Sequence, residues 1–490
     1  MEALQIALFI GVFLVMALSM FFRLIPALIA LPIMAFAIPV IGGVTLDDTI
    51  QLVIGEGAIR LHNAYTVALF GSMLSILLQK TGVAETFIKK GAELSGDNPW
   101  IIAVTMLLLI TLLFTTLGGL GAIIMIATVV LPIMSSVGIG PMTVVGIFLF
   151  GLSMGGILNA GNWALYVDVM KLSLTEIRPF ALVMFGLTFL GAVSYVTIQL
   201  YRDGHDLNWR RIALATATMI VLAGGAAALY LFQPPAVQTR IDTWAAQLGT
   251  FLQHLLGAGM GLLFLYSAWR RILRPRDGEG VLWSAYFTPI IPLLLILFYG
   301  MNFIAAFICG LLYGFVATYR KGGLNVFVQS VLEGGAVVMP AVALMLGIGM
   351  LLNAIIGPGG AWNAAHPEGW PVLNLLQPLM AAIVPEGRLG YILLFGLAAP
   401  LALYRGPLNV WGMGYGLAAI FLASGMEAGA VMGLMLAVGQ VQGISDPTNT
   451  HNVWLANEMQ QDVQKVLWNT IPYTWGLAIV GLVASALMFL

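Results

Sequence analysis

Long apolar runs, each ended by a short polar or Gly/Pro stretch, are the dominant pattern of this chain. Runs of about 20 mostly apolar residues are long enough to cross a bilayer as helices. Such runs lie near 3–22, 24–42, 62–80, 142–168, 178–201, 212–232, 250–269, 284–299, 301–318, 336–356, 428–455 and 472–490. Two further runs, 99–137 and 388–426, exceed one crossing and carry Gly or Pro near their middles. Each is expected to form a helical hairpin that enters and leaves on one side, or else two extra spans. The predicted fold is an all-α polytopic membrane protein with about twelve transmembrane helices and two re-entrant hairpins.

Two runs are interrupted where a membrane helix should continue. The breaks fall around Gly155-Gly156-Ile157-Leu158-Asn159-Ala160-Gly161-Asn162 and Gln442-Gly443-Ile444-Ser445-Asp446-Pro447-Thr448-Asn449. Unpaired backbone groups at membrane depth cost several kcal/mol each unless they face protein or a water-lined cavity. Paired breaks at corresponding places in two halves point to a secondary transporter with its site near the midplane.

The halves align. Val53 to Ala58 resembles Val331 to Ala336, and Gly82 follows Glu56 at the spacing by which Gly359 follows Glu333. Thr116-Leu117-Gly118-Gly119 then matches Tyr404-Arg405-Gly406-Pro407, Asn159 matches Asp446, and Asn162 matches Asn449. These matches predict repeats over 1–202 and 284–490, each with five spans and a hairpin. A two-span linker over 203–283 inverts the second repeat.

Composition and charge agree with the apolar pattern. Residues are 60% hydrophobic and 8% charged, against about 25% charged in a soluble domain. The first run follows only Met1-Glu2, lacks a basic leader and reads as an uncleaved span. With loops assigned alternately, one side collects fourteen of the twenty basic residues, among them Lys80, Arg202, Arg270, Arg320 and Lys321. The positive-inside rule makes that side cytoplasmic, with both termini outside. A net charge of -1 without a long basic block argues against nucleic-acid binding. Lone Cys309 forms no internal disulfide and reads as packing.

Few residues offer chemistry. Arg405 stands at the second hairpin tip, in Leu403-Tyr404-Arg405-Gly406-Pro407-Leu408-Asn409. Its planar fork suits a carboxylate or phosphate, although an ion pair with Asp446 would account for it structurally. Asp446, beside Pro447, is expected to ligate Na+, to carry a proton or to cap the next half-helix. Ser445, Thr448, Asn449, Thr450, His451 and Asn452 surround it with more polar groups than a cap needs, and His451 is a proton-relay candidate. In the first half, Thr115, Thr116, Asn159 and Asn162 supply neutral ligands, or polar packing between helices. Glu56 and Glu333 read as first-turn carboxylates at helix entries. Gly151-Leu152-Ser153-Met154-Gly155 fits a nucleophile elbow by letter but lacks the strand that motif requires. Without metal-ligand spacing among the histidines or a phosphate loop, no enzyme, cofactor or bound metal is expected, apart from Na+ at Asp446.

The opening span pair joined by Phe22-Arg23-Leu24-Ile25-Pro26, the hairpin, the broken helix and the inverted second series resemble the ion transporter superfamily. That group includes gluconate permeases, citrate carriers and divalent-anion symporters, and the resemblance covers nearly the whole chain. It implies that hairpin tips (Thr115, Thr116, Gly118; Arg405, Gly406, Pro407) and helix breaks (Asn159, Asn162; Asp446, Thr448, Asn449) surround substrate and ion. It also implies a homodimer with an elevator-like movement. The chain departs from the divalent-anion symporters in lacking Ser-Asn-Thr at both hairpin tips; only Thr448-Asn449-Thr450 is similar.

The expected function is ion-coupled transport of a small organic anion, a carboxylate, across a bacterial inner membrane. Arg405, Gly406, Pro407, Asn409, Thr115, Thr116, Gly118, Asn159 and Thr450 would face the substrate. Asp446, Asn449, Thr448, Ser445, Asn162 and His451 would serve the coupling ion, H+ or Na+. A cation/proton antiporter is the alternative.

Overall fold

The structure, a computed structural model, describes residues 2–21, 24–206, 235–273, 280–359, 365–381, 387–410 and 414–490, with isolated positions between. All regular structure among them is helical. Seven helical stretches are long and apolar enough to cross a membrane. An eighth arises if the bent pair Pro141–Ile157 and Ala160–Met170, angled at 48°, counts as one.

Twelve full spans are therefore not reproduced among the described residues. The run 284–299 is a 3-10 turn, Trp283–Phe287, followed by a helix of only nine residues, Ile291–Tyr299. At 1.5 Å per residue that helix covers about 13.5 Å, under half of a hydrocarbon core of about 30 Å. Pro289 and Pro292 confine its start, and Gly300 ends it in the left-handed conformation. Conversely, the run 336–356 belongs to one helix of 34 residues, Gly323–Ile356, which continues through Glu333-Gly334-Gly335. The expected span 212–232 and the Phe22-Arg23 turn lie largely outside the described residues. An amphipathic helix not anticipated from the runs, Val83–Ser95, buries Val83, Ala84 and Ile88 and exposes the Lys89–Glu85 and Lys90–Glu93 pairs.

Gly323–Ile356 packs along the helical stretch Leu46–Lys80. Burial of apolar surface drives little association inside lipid, so close backbone approach matters. A Cβ on Gly57 would stand 2.7 Å from the Cα of Met350, and one on Gly334 would stand 2.5 Å from the Cα of Met73. At the far end Arg60 Nη1 donates to Gly357 O (3.0 Å) and to the Asn353 side chain. A cation there complements the negative end of the long helix.

Two buried helices form the centre, Pro141–Ile157 and Ala428–Ser445. They lean on each other where Ser153 Oγ donates to Gln440 Oε1 at 2.8 Å. Each stops at a residue in extended conformation, Asn159 (φ -72°, ψ 126°) or Asp446 (φ -72°, ψ 113°). A second half-helix then follows, Ala160–Met170 or Thr450–Glu458. The two segments expected from the sequence to form hairpins lie alongside. The first consists of Pro99–Phe114 and Gly119–Ser136. The second runs through Arg388–Ala398 and Ala399–Arg405 to Tyr415–Ala423. Ala160–Met170 packs on Tyr415–Ala423, and Thr450–Glu458 packs on Gly119–Ser136.

Candidate functional site

The side chains at the two matched break positions do the same mechanical task with opposite hydrogen-bond polarity. Asn159 Nδ2 donates to Phe114 O (2.8 Å) and Leu117 O (3.3 Å), at the tip of the first hairpin, while its Oδ1 accepts from Gly161 N at 2.8 Å. Asp446 is fully buried. Its Oδ1 accepts from Tyr404 N (3.0 Å), Thr448 N (2.9 Å) and Thr448 Oγ1 (2.7 Å), and its Oδ2 from Asn409 Nδ2 (3.1 Å). The first tip presents carbonyls and meets an amide. The second presents an N–H and meets a carboxylate. Asn159 also caps the half-helix that follows, whereas the Thr448 N–H taken by Asp446 lies before the helix that starts at Thr450.

The last carbonyls of each first half-helix, short of regular helical partners, take side-chain donors from beyond the break. Asn162 Nδ2 donates to Gly156 O (2.7 Å) and Trp163 Nε1 to Ile157 O (2.8 Å). In the second half Asn449 Nδ2 takes Gln442 O (2.7 Å) and Asn452 Nδ2 takes Ile444 O (2.9 Å), with His451 Nε2 lying 3.3 Å from Gly443 O. Asn449, His451 and Asn452 thus lie against three consecutive carbonyls, those of Gln442, Gly443 and Ile444.

Other candidates bond within the fold. Ser445 Oγ turns to Thr470 and Thr474 Oγ1, both at 2.8 Å, on the last helix. Thr115 Oγ1 donates to Leu112 O and Thr116 Oγ1 to Pro289 O. Asn409, buried, also donates to Ala402 O at 3.0 Å. Thr450 and Gly118 are exposed.

Arg405 is exposed beside half-buried Gly406 and Pro407. The ion pair with Asp446 weighed from the sequence does not form among the described residues; the backbone N–H of Tyr404 occupies that carboxylate instead. Tyr404 and Arg405 both adopt positive φ, 55° and 56°. Left-handed backbone costs a non-glycine residue about 1–2 kcal/mol, and strain of this kind gathers at ligand clamps. Gly406 lets the tip turn, since a Cβ there would run into the Leu401 carbonyl.

Sequence reading passed over three features. Tyr404 anchors the tip through its N–H and, through its hydroxyl, donates to Gln464 Oε1 at 2.9 Å. Gln442 Oε1 accepts from Val410 N at 2.7 Å. Buried Asp168 accepts from Asn63 Nδ2 (2.9 Å) and Ala64 N (3.3 Å), holding the start of His62–Lys80. A carboxylate inside an apolar segment was the available signal for Asp168. Nothing in a linear pattern marks the Tyr404 N–H.

No protein-family model and no curated protein matches the chain. Among solved structures, the Alcanivorax borkumensis YdaH transporter, described as having an unusual topology, is similar with a TM-score of 0.50 and 17% identity. The match covers 89% of this chain and 86% of that one. Neisseria gonorrhoeae MtrF, described within a class of antimetabolite efflux pumps, gives 0.43 and 15% identity over 88% and 83% of the two chains. The chain therefore shares its polytopic helical fold with a membrane transporter.

Proposed function

We propose that this protein is an ion-coupled secondary transporter of a small organic anion, a carboxylate, in a bacterial inner membrane. The observation that carries this reading is Arg405, an exposed guanidinium on a strained hairpin tip that a buried carboxylate holds in place through Tyr404 N. A cation kept at such a place without an acidic side chain paired to it among the described residues is suited to an anion from outside the protein. Gly118, Gly406 and Pro407 would let the substrate approach the tips, and Thr450 would face it from the second break. Asp446, Asn449, Thr448, Asn162 and His451 would lie around the coupling ion, H+ or Na+. In the competing cation/proton antiporter Asp446 itself would carry the ion.

An inverted repeat of 1–202 and 284–490 underlies the proposed movement. The Gly57 and Met350 contact and the Gly334 and Met73 contact support it, because the offset relating Glu56 to Glu333 turns one into the other. Within a homodimer, the hairpins and broken helices would shift as an elevator against the remaining helices, with both termini outside the cytoplasm.

Uptake into proteoliposomes, measured across a panel of carboxylates under H+ and Na+ gradients, tests the reading. Arg405→Lys should keep expression and lose about tenfold or more of the anion uptake, because a point charge does not replace a bidentate fork. Unchanged uptake kinetics would return Arg405 to a structural role.

A further inference from the structure

A cavity of about 180 Å³, lined by none of the helix-break residues, opens where three helices meet at their ends. His62–Lys80 contributes Lys80, Phe303–Ala317 leads into Thr318 and Tyr319, and Gly323–Ile356 begins at its rim. Arg320 and Lys321, exposed in the connection between the last two, complete a basic wall. Lys80 Nζ lies 2.8 Å from Glu333 Oε1, but the Glu333 side chain is 53% exposed, so solvent weakens that pairing. Arg320 and Lys321 form no ion pair among the described residues. Gly322 precedes the 34-residue helix in the left-handed conformation without a side-chain cap, so the positive end of that helix also faces this region.

An apolar track leads away from the charges. Phe315 lines the cavity, with its ring 5.6 Å from Tyr319 and 4.8 Å from Phe327. Ile308 and Leu312 share its helix face and are exposed. The charges suit a phosphate, while the aromatic collar and the lipid-facing track beneath it suit an attached acyl chain. Basic pockets between helix ends on the face rich in Lys and Arg hold anionic headgroups in this way. We propose that this cavity binds the headgroup of an anionic phospholipid.

The test uses the full chain in a neutral detergent, titrated separately with phosphatidylglycerol, phosphatidylcholine and inorganic phosphate, read by thermal stability and native mass spectrometry. Phosphatidylglycerol should raise the melting temperature and stay bound; phosphatidylcholine should not. Arg320→Gln with Lys321→Gln should weaken apparent lipid affinity roughly 25-fold, at roughly fivefold per charge near the surface. Arg320→Lys with Lys321→Arg, which preserves both charges, should keep affinity and thereby separates loss of charge from loss of fold. Parental affinity in the Gln pair, or equal weakening in the charge-preserving pair, overturns the proposal. So does protection by inorganic phosphate equal to that by the lipid, which would assign the cavity to a soluble anion.

Discussion

Asp446 Oδ1 accepts a hydrogen bond from the backbone N–H of Tyr404 at 3.0 Å, tying the second helix break to the second hairpin tip. The residue beside that N–H is Arg405, so the buried carboxylate sets the height and turn of the tip that presents the guanidinium.

Asp446→Asn keeps one acceptor but turns an NH2 toward either Asn409 Nδ2 or the Tyr404 and Thr448 donors. Leaving buried donors unmatched costs about 1–3 kcal/mol, and thermal unfolding of the purified variant should register it. Adding Asn409→Asp gives the new NH2 an acceptor but loses the bond from Asn409 Nδ2 to Ala402 O, so it should recover only part of the loss. If uphill transport with its H+ or Na+ dependence also returned, a carboxylate at position 446 itself would not be the coupling group.

Arg405→Gly removes the side chain from a position at φ 56°. Relief of left-handed strain should stabilise the protein by about 1 kcal/mol, while anion uptake is lost. A melting temperature at or below that of the parent would show that the tip holds no such strain.

Asn159→Asp places acceptors against the carbonyls of Phe114 and Leu117. It should therefore destabilise more than Asp446→Asn, with the loss easing at acidic pH as the carboxyl gains a proton to donate. A pH-independent loss would point to steric causes instead.

Gly57→Ala and Gly334→Ala each push a methyl group into backbone at 2.7 and 2.5 Å. Overpacking of about 1–3 kcal/mol should exceed the helix-propensity gain of about 1 kcal/mol, and melting temperatures should fall for both. Gly335→Ala, with open space around it, is the control and should hold or gain stability. A loss in only one of the two glycine variants would count against the inverted repeat.

Single cysteines at Gly204 and Gly359, introduced after replacing Cys309, should label from opposite sides of the membrane in intact cells. Labelling of both from one side would remove the proposed topology.

The apolar runs and their interruptions determined that this chain is a helical membrane protein and where its helices break. Those properties are local: transfer into lipid is summed residue by residue, and Pro447, Asn159 and the flanking glycines act on their own backbone. Pro289 and Pro292 were equally local signals that 284–299 stops short, but a hydropathy window averages over them. Tertiary structure alone decided which polar side chains bond across the fold and to what. Ser445 faces Thr470 and Thr474, Asp446 faces Tyr404, and Arg60 faces Gly357. A buried hydrogen bond takes whichever donor or acceptor helix packing brings within reach, and in these pairs it comes from a separate segment of the chain, which no window along the sequence contains.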